Sequence, residues 1–317
     1  MDQIFSNKIL HLLNNLNKVT IKDALQRGCK SFYVENKMIG LIRPDFWEHL
    51  KNYTDVFQLV EVNASGHTST LLKPGAHLSS SFKTHQERTI AIHGMLENLR
   101  QKNIILPLRG WRNENYSVSQ KFTDEPLLEI ERSACGLFGT IQYGVHVNGF
   151  VKSLNGEIKI WLGKRSKTKQ TFPSMYDNLC AGGLTARLGI LECVKKECKE
   201  EASISDELLE DLTFVGTISY FYEDERGLFP ECQFVYDLEL PGDFTPVNAD
   251  GEVAEFLLVS LEELKDLLVG GNFKPNCAAI CLEFLIRHGY LNPDSDPNVS
   301  YYIEQLHSPL QTYYDGR

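Results

Sequence analysis

At 317 residues the chain is long for one hydrophobic core, so two domains are the natural expectation. Hydrophobic residues at 42% and charged residues at 23% are ordinary globular values and exclude a largely disordered or fibrous chain. A formal charge of -10 argues against non-specific binding to nucleic acid or to an anionic membrane, and no apolar run reaches the roughly 18 to 20 residues that span a bilayer.

The opening stretch, MDQIFSNKILHLLNNLNKV, spaces Ile4, Phe5, Ile9, Leu12, Leu13 and Leu16 in helical rhythm rather than as a continuous secretory core, and no arginine precedes Arg27. It predicts the first helix of a domain. Residues 1–133 mix helical stretches with strand-like runs such as SFYVENKMIGLI and VFQLVEV, which predicts a smaller N-terminal α/β domain. From residue 134 the texture changes, and 134–317 reads as a second domain. There GTIQYGVHVNGFV and IKIWLGKR predict two strands about a tight turn, because Asn155-Gly156 favours the positive φ of a hairpin. A polar, basic stretch, KRSKTKQTFPSMYDN, and the run CAGGL precede a helix expected from about Gly189 to Ala202. Strands FVGTISYFY, ECQFVYDLEL and EFLLVS and a helix over Leu261–Leu268 follow. That order suits an α/β (α+β) fold with a mixed sheet between helices. The segment from about Asn292 is polar and is expected to be a surface extension.

The eight cysteines contain no C-x-x-C pair, so buried, reduced thiols in a cytoplasmic protein are expected. His67, His77, His85 and His93 have no metal-ligand spacing. Neither a phosphate-cradling G-x4-G-K-[ST] loop nor a dinucleotide fingerprint occurs, which leaves a kinase without its phosphate cradle.

The stretch GGLTARLGILECVKKECKEEASI carries the chemistry. On a helix Glu197, Glu200 and Glu201 stand at i, i+3 and i+4, so three carboxylates share one side, while Ile190, Val194, Cys198 and Ala202 form a separate apolar stripe. Like charges so placed repel by roughly 0.2 to 0.5 kcal/mol per pair, a penalty that a divalent cation reverses. Magnesium suits such hard oxygen donors. Taken alone, the same helix reads equally as a solvated face, because Lys195, Lys196 and Lys199 interleave with the acids.

Gly182-Gly183 before that helix, the KECKEEASI run and the downstream DGEVAEF together resemble the Nudix superfamily, whose box is G-x5-E-x7-R-E-U-x-E-E-x-G-U with U aliphatic. Gly182 takes the first glycine, Glu197 the glutamate after the arginine, Glu200 and Glu201 the pair, and Ile204 the last aliphatic. The resemblance implies that Glu197, Glu200 and Glu201 are metal ligands for Mg2+ (or Mn2+). The chain departs from the box at Leu188, in the first glutamate's place, at Lys196 for the arginine, at Cys198 for the aliphatic and at Ser203 for the final glycine. Leu188 cannot accept a proton and Lys196 lacks arginine's planar fork, which bears on rate more than on metal binding.

The runs GWRNENYSV, ERSACGLFGTIQYGVHVNGFV and GKRSKTKQTFPSMYDNLCAGGL are similar to the thiamine-pyrophosphokinase-related Nudix branch, which joins an N-terminal domain of unknown function to a Nudix domain. That implies hydrolysis of a small-molecule diphosphate, thiamine diphosphate or its oxidised analogues, to a monophosphate and phosphate. The alternative is an attenuated Nudix-fold binding or regulatory protein. Within the basic stretch Arg165 and Lys169 match the branch and are the expected diphosphate contacts, beside Gly182 and Gly183. Glu252, favoured over Glu255, is the expected additional catalytic carboxylate. Asp177 and Asn178 are expected to cap a turn or orient substrate, and Phe172, Tyr176, Tyr220 and Tyr222 to pack in the core or stack on a heterocycle.

Overall fold

The computed structural model describes residues 3–62, 68 and 70–315, so His67 lies outside the described residues. Helix α1 (Gln3–Leu16) buries Phe5, Ile9, Leu13 and Leu16 along one stripe, as its rhythm predicts. Helix α2 (Ile21–Gln26) leads into strands β1 (Lys30–Val34) and β2 (Lys37–Ile42), joined by Glu35 and Asn36, both at positive φ. Helix α3 (Pro44–Leu50), strands β3 (Phe57–Val60) and β4 (Gly75–Leu78) and helix α4 (His85–Gln101) follow. The four strands form one sheet in the order β2-β1-β4-β3, whose core of Phe32, Phe57, Ile92 and Leu96 takes in α4. Strands β5 (Asn115–Val118) and β6 (Leu128–Glu131) make a separate antiparallel ribbon, and the short helix α5 (Cys135–Phe138) stops at Gly139 in the left-handed region.

The second sheet contains β7 (Gln142–Lys152), β8 (Ile158–Arg165), β9 (Tyr176–Asn178), β10 (Cys180–Gly183), β11 (Thr213–Asp224), β12 (Gly227–Glu239) and β13 (Val253–Ser260). Its order is β11-β12-β7-β8-β13, with β10 on β7 and β9 on β8; β12 and β7 run parallel and the other pairs antiparallel. The expected turn is present, with Gly156 at φ 86°. Helix α6 (Ile190–Ala202) packs Cys193, Val194 and Cys198 against Val145, Val147 and Cys180 on one face. Helices α7 (Leu261–Val269) and α8 (Pro275–Arg287) cover the other face together with α1. The fold is therefore mixed α/β, with helices on both sides of a mixed sheet.

Two features differ from the sequence expectation. Helix α8 went unread because Cys277–Leu282, Phe284 and Leu285 are all buried, so it carries no polar face whose period could be seen. The C-terminal segment is not a mere surface extension. Helices α9 (Val299–Gln305) and α10 (Leu310–Asp315) bury Tyr302, Leu306, Leu310 and Tyr314, a few apolar anchors hidden in polar sequence. The Ser6 and Tyr302 hydroxyls lie 2.8 Å apart, and Asn17 donates to the Gln305 carbonyl at 2.7 Å. Thus α1, although first in the chain, completes the core of the second sheet and crosses the division expected at residues 133 and 134. All eight cysteines are free thiols and seven are buried. No helix among the described residues is long and apolar enough to cross a membrane.

Candidate active site

Helix α6 presents its three glutamates to different surroundings. Glu197 lies against Gly182 of β10: a Cβ on Gly182 would fall 2.2 Å from Glu197 Cδ, so only glycine leaves the carboxylate its place. Glu201, one turn on, is buried and accepts the Ala181 N–H at 2.9 Å. Glu200 is exposed. The Lys196 ammonium stands 3.3 Å from Glu197 and 2.9 Å from Glu200, bridging two carboxylates as a single positive charge. Burial raises the Glu197 pKa, with Lys196 opposing it, while burial and then the Asp177 charge push Glu201 up to about 8.

That shift has a measurable consequence. A carboxyl whose folded pKa is raised contributes stability below its unfolded value of roughly 4.3, and the contribution is lost as pH rises through the folded value. Wild type without metal should therefore lose stability relative to Glu201→Gln between about pH 4 and 8. Denaturant titrations of both proteins across that range check this, and a pH-independent difference would contradict it.

Arg165, Lys169, Asp177, Glu201 and Glu252 line one small cleft, which brings together five residues singled out along the sequence. Lys169 is ion-paired with Glu252. Burial lowers the Lys169 pKa and the Glu201 charge works against that. Arg165 is more committed than expected for a substrate contact. Its guanidinium meets Asp177 at 2.7 Å and donates to the Phe172 and Thr171 carbonyls at 3.0 and 2.9 Å, which fixes the loop that carries Lys169.

Asp177 and Asn178 belong to a buried polar knot rather than a turn cap. Asn178 Oδ1 lies 2.9 Å from His146 Nδ1, and the Asn178 amide donates to Asn148 at 3.1 Å. His146, Asp177 and Cys277 bring three ligand-type atoms within 4.8 Å of one another, a grouping of metal-site dimensions. Its electrostatics are those of an ion-pair knot instead. Burial works against the charged Asp177, but Lys274 at 3.6 Å and Arg165 hold its carboxyl below the usual range. Burial and Lys274 push His146 down to about 4, and burial raises the Cys277 thiol, which donates to Asp177 at 2.6 Å. A further cation there would meet two resident positive charges.

The β5–β6 ribbon supplies residues to which the sequence reading assigned no task. The Tyr116 hydroxyl would be 1.7 Å from a Cβ on Gly183. Glu114 accepts Thr185 Oγ1 at 2.7 Å and the Arg132 guanidinium at 2.9 Å, and the Asn115 carbonyl accepts the Ala186 N–H at 2.8 Å. This loop includes Leu188, which packs partly buried against the core beneath α6. The run GWRNENYSV holds Glu114 and Tyr116, so the signal was present without a spatial partner to interpret it. Of the expected aromatics, Tyr220 is buried and Tyr222 is partly exposed and stacked on Phe229 at 5.0 Å.

Helix α6 ends at Ser203, whose φ of 53° lies in the left-handed region while its hydroxyl donates to the Val247 carbonyl at 2.7 Å. Ser203→Ala retains the strain and removes the hydrogen bond, so it should lower stability by about 1 kcal/mol. Ser203→Gly removes both and should stay within about 0.5 kcal/mol of wild type. Urea denaturation orders the two, and equal stability of the variants would show that the backbone conformation costs nothing here.

A family model described as a NUDIX domain matches residues 143–277, and one described as a domain of unknown function (DUF4743) matches residues 8–142. Among curated proteins, "Nudix hydrolase 20, chloroplastic" of Arabidopsis thaliana is 35% identical over 86% of this chain and 71% of its own length. "Nudix hydrolase 24, chloroplastic" of the same plant is 36% identical over 83% and 69%. The uncharacterised protein YJR142W of Saccharomyces cerevisiae is 40% identical over 64% of this chain, which spans 63% of that relative's length.

Proposed function

Because the chain belongs to the Nudix hydrolase family, we propose that it is a metal-dependent pyrophosphohydrolase of a small organic diphosphate, yielding a monophosphate and orthophosphate. The observation that carries this reading is the buried Glu201 of α6 sharing one cleft with the ion-paired Lys169 and Glu252. Glu197 and Glu200 offer hard oxygen donors that suit a divalent cation, which would have to displace the Lys196 ammonium that bridges them. Glu197, Glu200 and Glu201 would hold Mg2+ (or Mn2+). When bound, the cation would neutralise diphosphate charge and acidify water.

The chain's own residues divide the remaining work. Lys169, drawn from Glu252 by the more highly charged diphosphate, meets it as a point charge, and this frees Glu252 to accept a proton from the attacking water. Arg165 acts mainly through the loop, holding Lys169 at the cleft by way of Asp177. Gly182 and Gly183 leave room for Glu197 and Tyr116. The 1–133 part contributes the β5–β6 ribbon to the rim, and 134–317 holds the metal and phosphate residues.

Thiamine diphosphate or its oxidised analogues are the proposed substrates, resting on the sequence resemblance. The cytoplasm is the proposed compartment, supported by the free thiols. Phosphate release from thiamine diphosphate, its oxidised analogues and nucleoside diphosphates with Mg2+ or Mn2+ tests the reading. A wild type that neither binds nor cleaves any of them overturns it. A second reading, a slow or regulatory binder, is favoured by Leu188, which offers no carboxylate to the loop before α6. It predicts binding without turnover, and turnover that rises in Leu188→Glu/Lys196→Arg.

A further inference from the structure

The turn that enters β5, residues 110–114, carries an arginine that the mechanism above does not use. Glu131 of β6 is buried, and its carboxylate accepts the backbone N–H groups of Arg112 at 2.9 Å, Glu114 at 3.3 Å and Ser133 at 3.2 Å. A buried carboxylate committed to backbone N–H groups in this way fixes a conformation of the chain. Asn113 sits at the left-handed φ of 56°, and its side chain accepts the Trp111 indole N–H at 3.0 Å. Trp111 is held in turn, with the Arg100 guanidinium 4.9 Å from its ring and His93 edge-on at 5.5 Å. Within this fixed turn the Arg112 guanidinium has no hydrogen-bond or ion-pair partner among the described residues.

The turn meets both halves of the site. On one side a Cβ at Gly110 would lie 3.5 Å from Gln170 Oε1, so the turn rests against the loop that carries Lys169. On the other, Glu114 accepts the Thr185 hydroxyl at 2.7 Å and the Arg132 guanidinium at 2.9 Å, which ties the turn to the loop before α6. The charges at this end are within reach of one another, since Lys196 acts on Glu114 and Glu197 acts on Arg132. Arg112 is exposed, yet partial burial and then the Arg132 charge lower its pKa. Two neighbouring guanidiniums, of which only Arg132 has a carboxylate partner, favour the arrival of an anion.

We propose that Arg112 is a substrate-binding residue supplied by the N-terminal domain, and that it grips the terminal phosphate of the diphosphate while Lys169 meets the substrate from the adjoining loop. A terminal phosphate carries about two negative charges near neutral pH and presents acceptor oxygens that match the planar fork of an arginine. The carboxylates that hold the cation offset much of its charge, so a further positive group is needed where the second phosphate lies. The inference deepens the diphosphatase reading and rests on it. It gives the 110–114 turn a direct part in binding, beyond shaping the rim.

Calorimetry with methylenediphosphonate, a diphosphate analogue that cannot be hydrolysed, in the presence of Mg2+ reads the contact without turnover. Arg112→Ala is expected to bind it at least about tenfold more weakly than wild type, as loss of a charge-assisted hydrogen bond implies. Arg112→Lys, which keeps the charge and loses the fork, should fall between them. Because the Arg112 side chain has no partner within the protein, both variants should keep the wild-type melting temperature. Arg109→Ala removes an exposed arginine nearby that is held by Asn103 at 3.0 Å, and it should bind within about twofold of wild type. Equal affinity in wild type and Arg112→Ala overturns the assignment, as does a wild type that does not bind the diphosphonate. A loss in Arg109→Ala as large as that in Arg112→Ala also overturns it, since net charge alone would then explain both. Phosphate release from thiamine and nucleoside diphosphates, followed in parallel, keeps the two readings apart. Binding that depends on Arg112 in a protein that releases no phosphate supports the contact and sinks the diphosphatase reading, and release that Arg112→Ala leaves unchanged does the reverse.

Discussion

Glu200→Gln/Glu201→Gln is expected to release phosphate at least about 100-fold more slowly than wild type, because losing preorganised charge stabilisation of a few kcal/mol costs two or more decades in rate. The effect should come without unfolding. Glutamine at position 201 can still accept the Ala181 N–H, and it removes a carboxylate whose ionisation burial opposes. Glu200 is exposed, so its replacement disturbs no packing. Saturating Mg2+ should raise the melting temperature of wild type, since a cation bound only by the folded state at 100 times its Kd stabilises by about 2.7 kcal/mol. The variant should show almost no such rise. A variant that kept both the rate and the Mg2+-dependent rise would remove α6 from the chemistry.

Gly182→Ala should lower activity by geometry alone. The added Cβ would stand 2.2, 2.5 and 2.6 Å from Glu197 Cδ, Oε1 and Cγ, closer than van der Waals contact allows, and the carboxylate must swing away. Because the clash falls on a side chain rather than on backbone, the stability cost should stay near 1 kcal/mol, at the low end for overpacking. Activity should nevertheless fall at least about tenfold, since misplacement of a catalytic group by about 1 Å already costs up to two decades. Measuring melting temperature and kcat/KM together separates the effects. A variant that kept its rate would show that Glu197 need not rest against β10, and one that unfolded would assign Gly182 to stability instead.

The readable parts of this molecule were those where a local rule acts. The 3.6-residue spacing of Phe5, Ile9, Leu13 and Leu16 predicts α1, the Asn155-Gly156 dipeptide predicts the β7–β8 turn, and the spacing of Glu197, Glu200 and Glu201 predicts an acidic helix side. Helix α8 had no such signature, since burial on all sides erases amphipathic period, and the anchors Tyr302 and Tyr314 were too sparse among polar residues to stand out. CAGGL carries no strand signal in the sequence because glycine is unusual inside a strand. It forms β10 by pairing with Gly144–Val147 of β7, and Glu197 and Tyr116 take the space that side chains at Gly182 and Gly183 would need.

By itself the sequence determined the family resemblance, the mixed α/β class and the identity of the acidic helix, all properties of residues close together in the chain. Only the tertiary structure decided which distant groups share the site. It set Lys169 against Glu252, spent Arg165 on Asp177 and the loop carbonyls, and brought the β5–β6 ribbon over Gly183. Those pairings depend on strand register and on which face each helix covers, and both follow from minimising buried, unpaired polar groups over the whole chain rather than within any one segment.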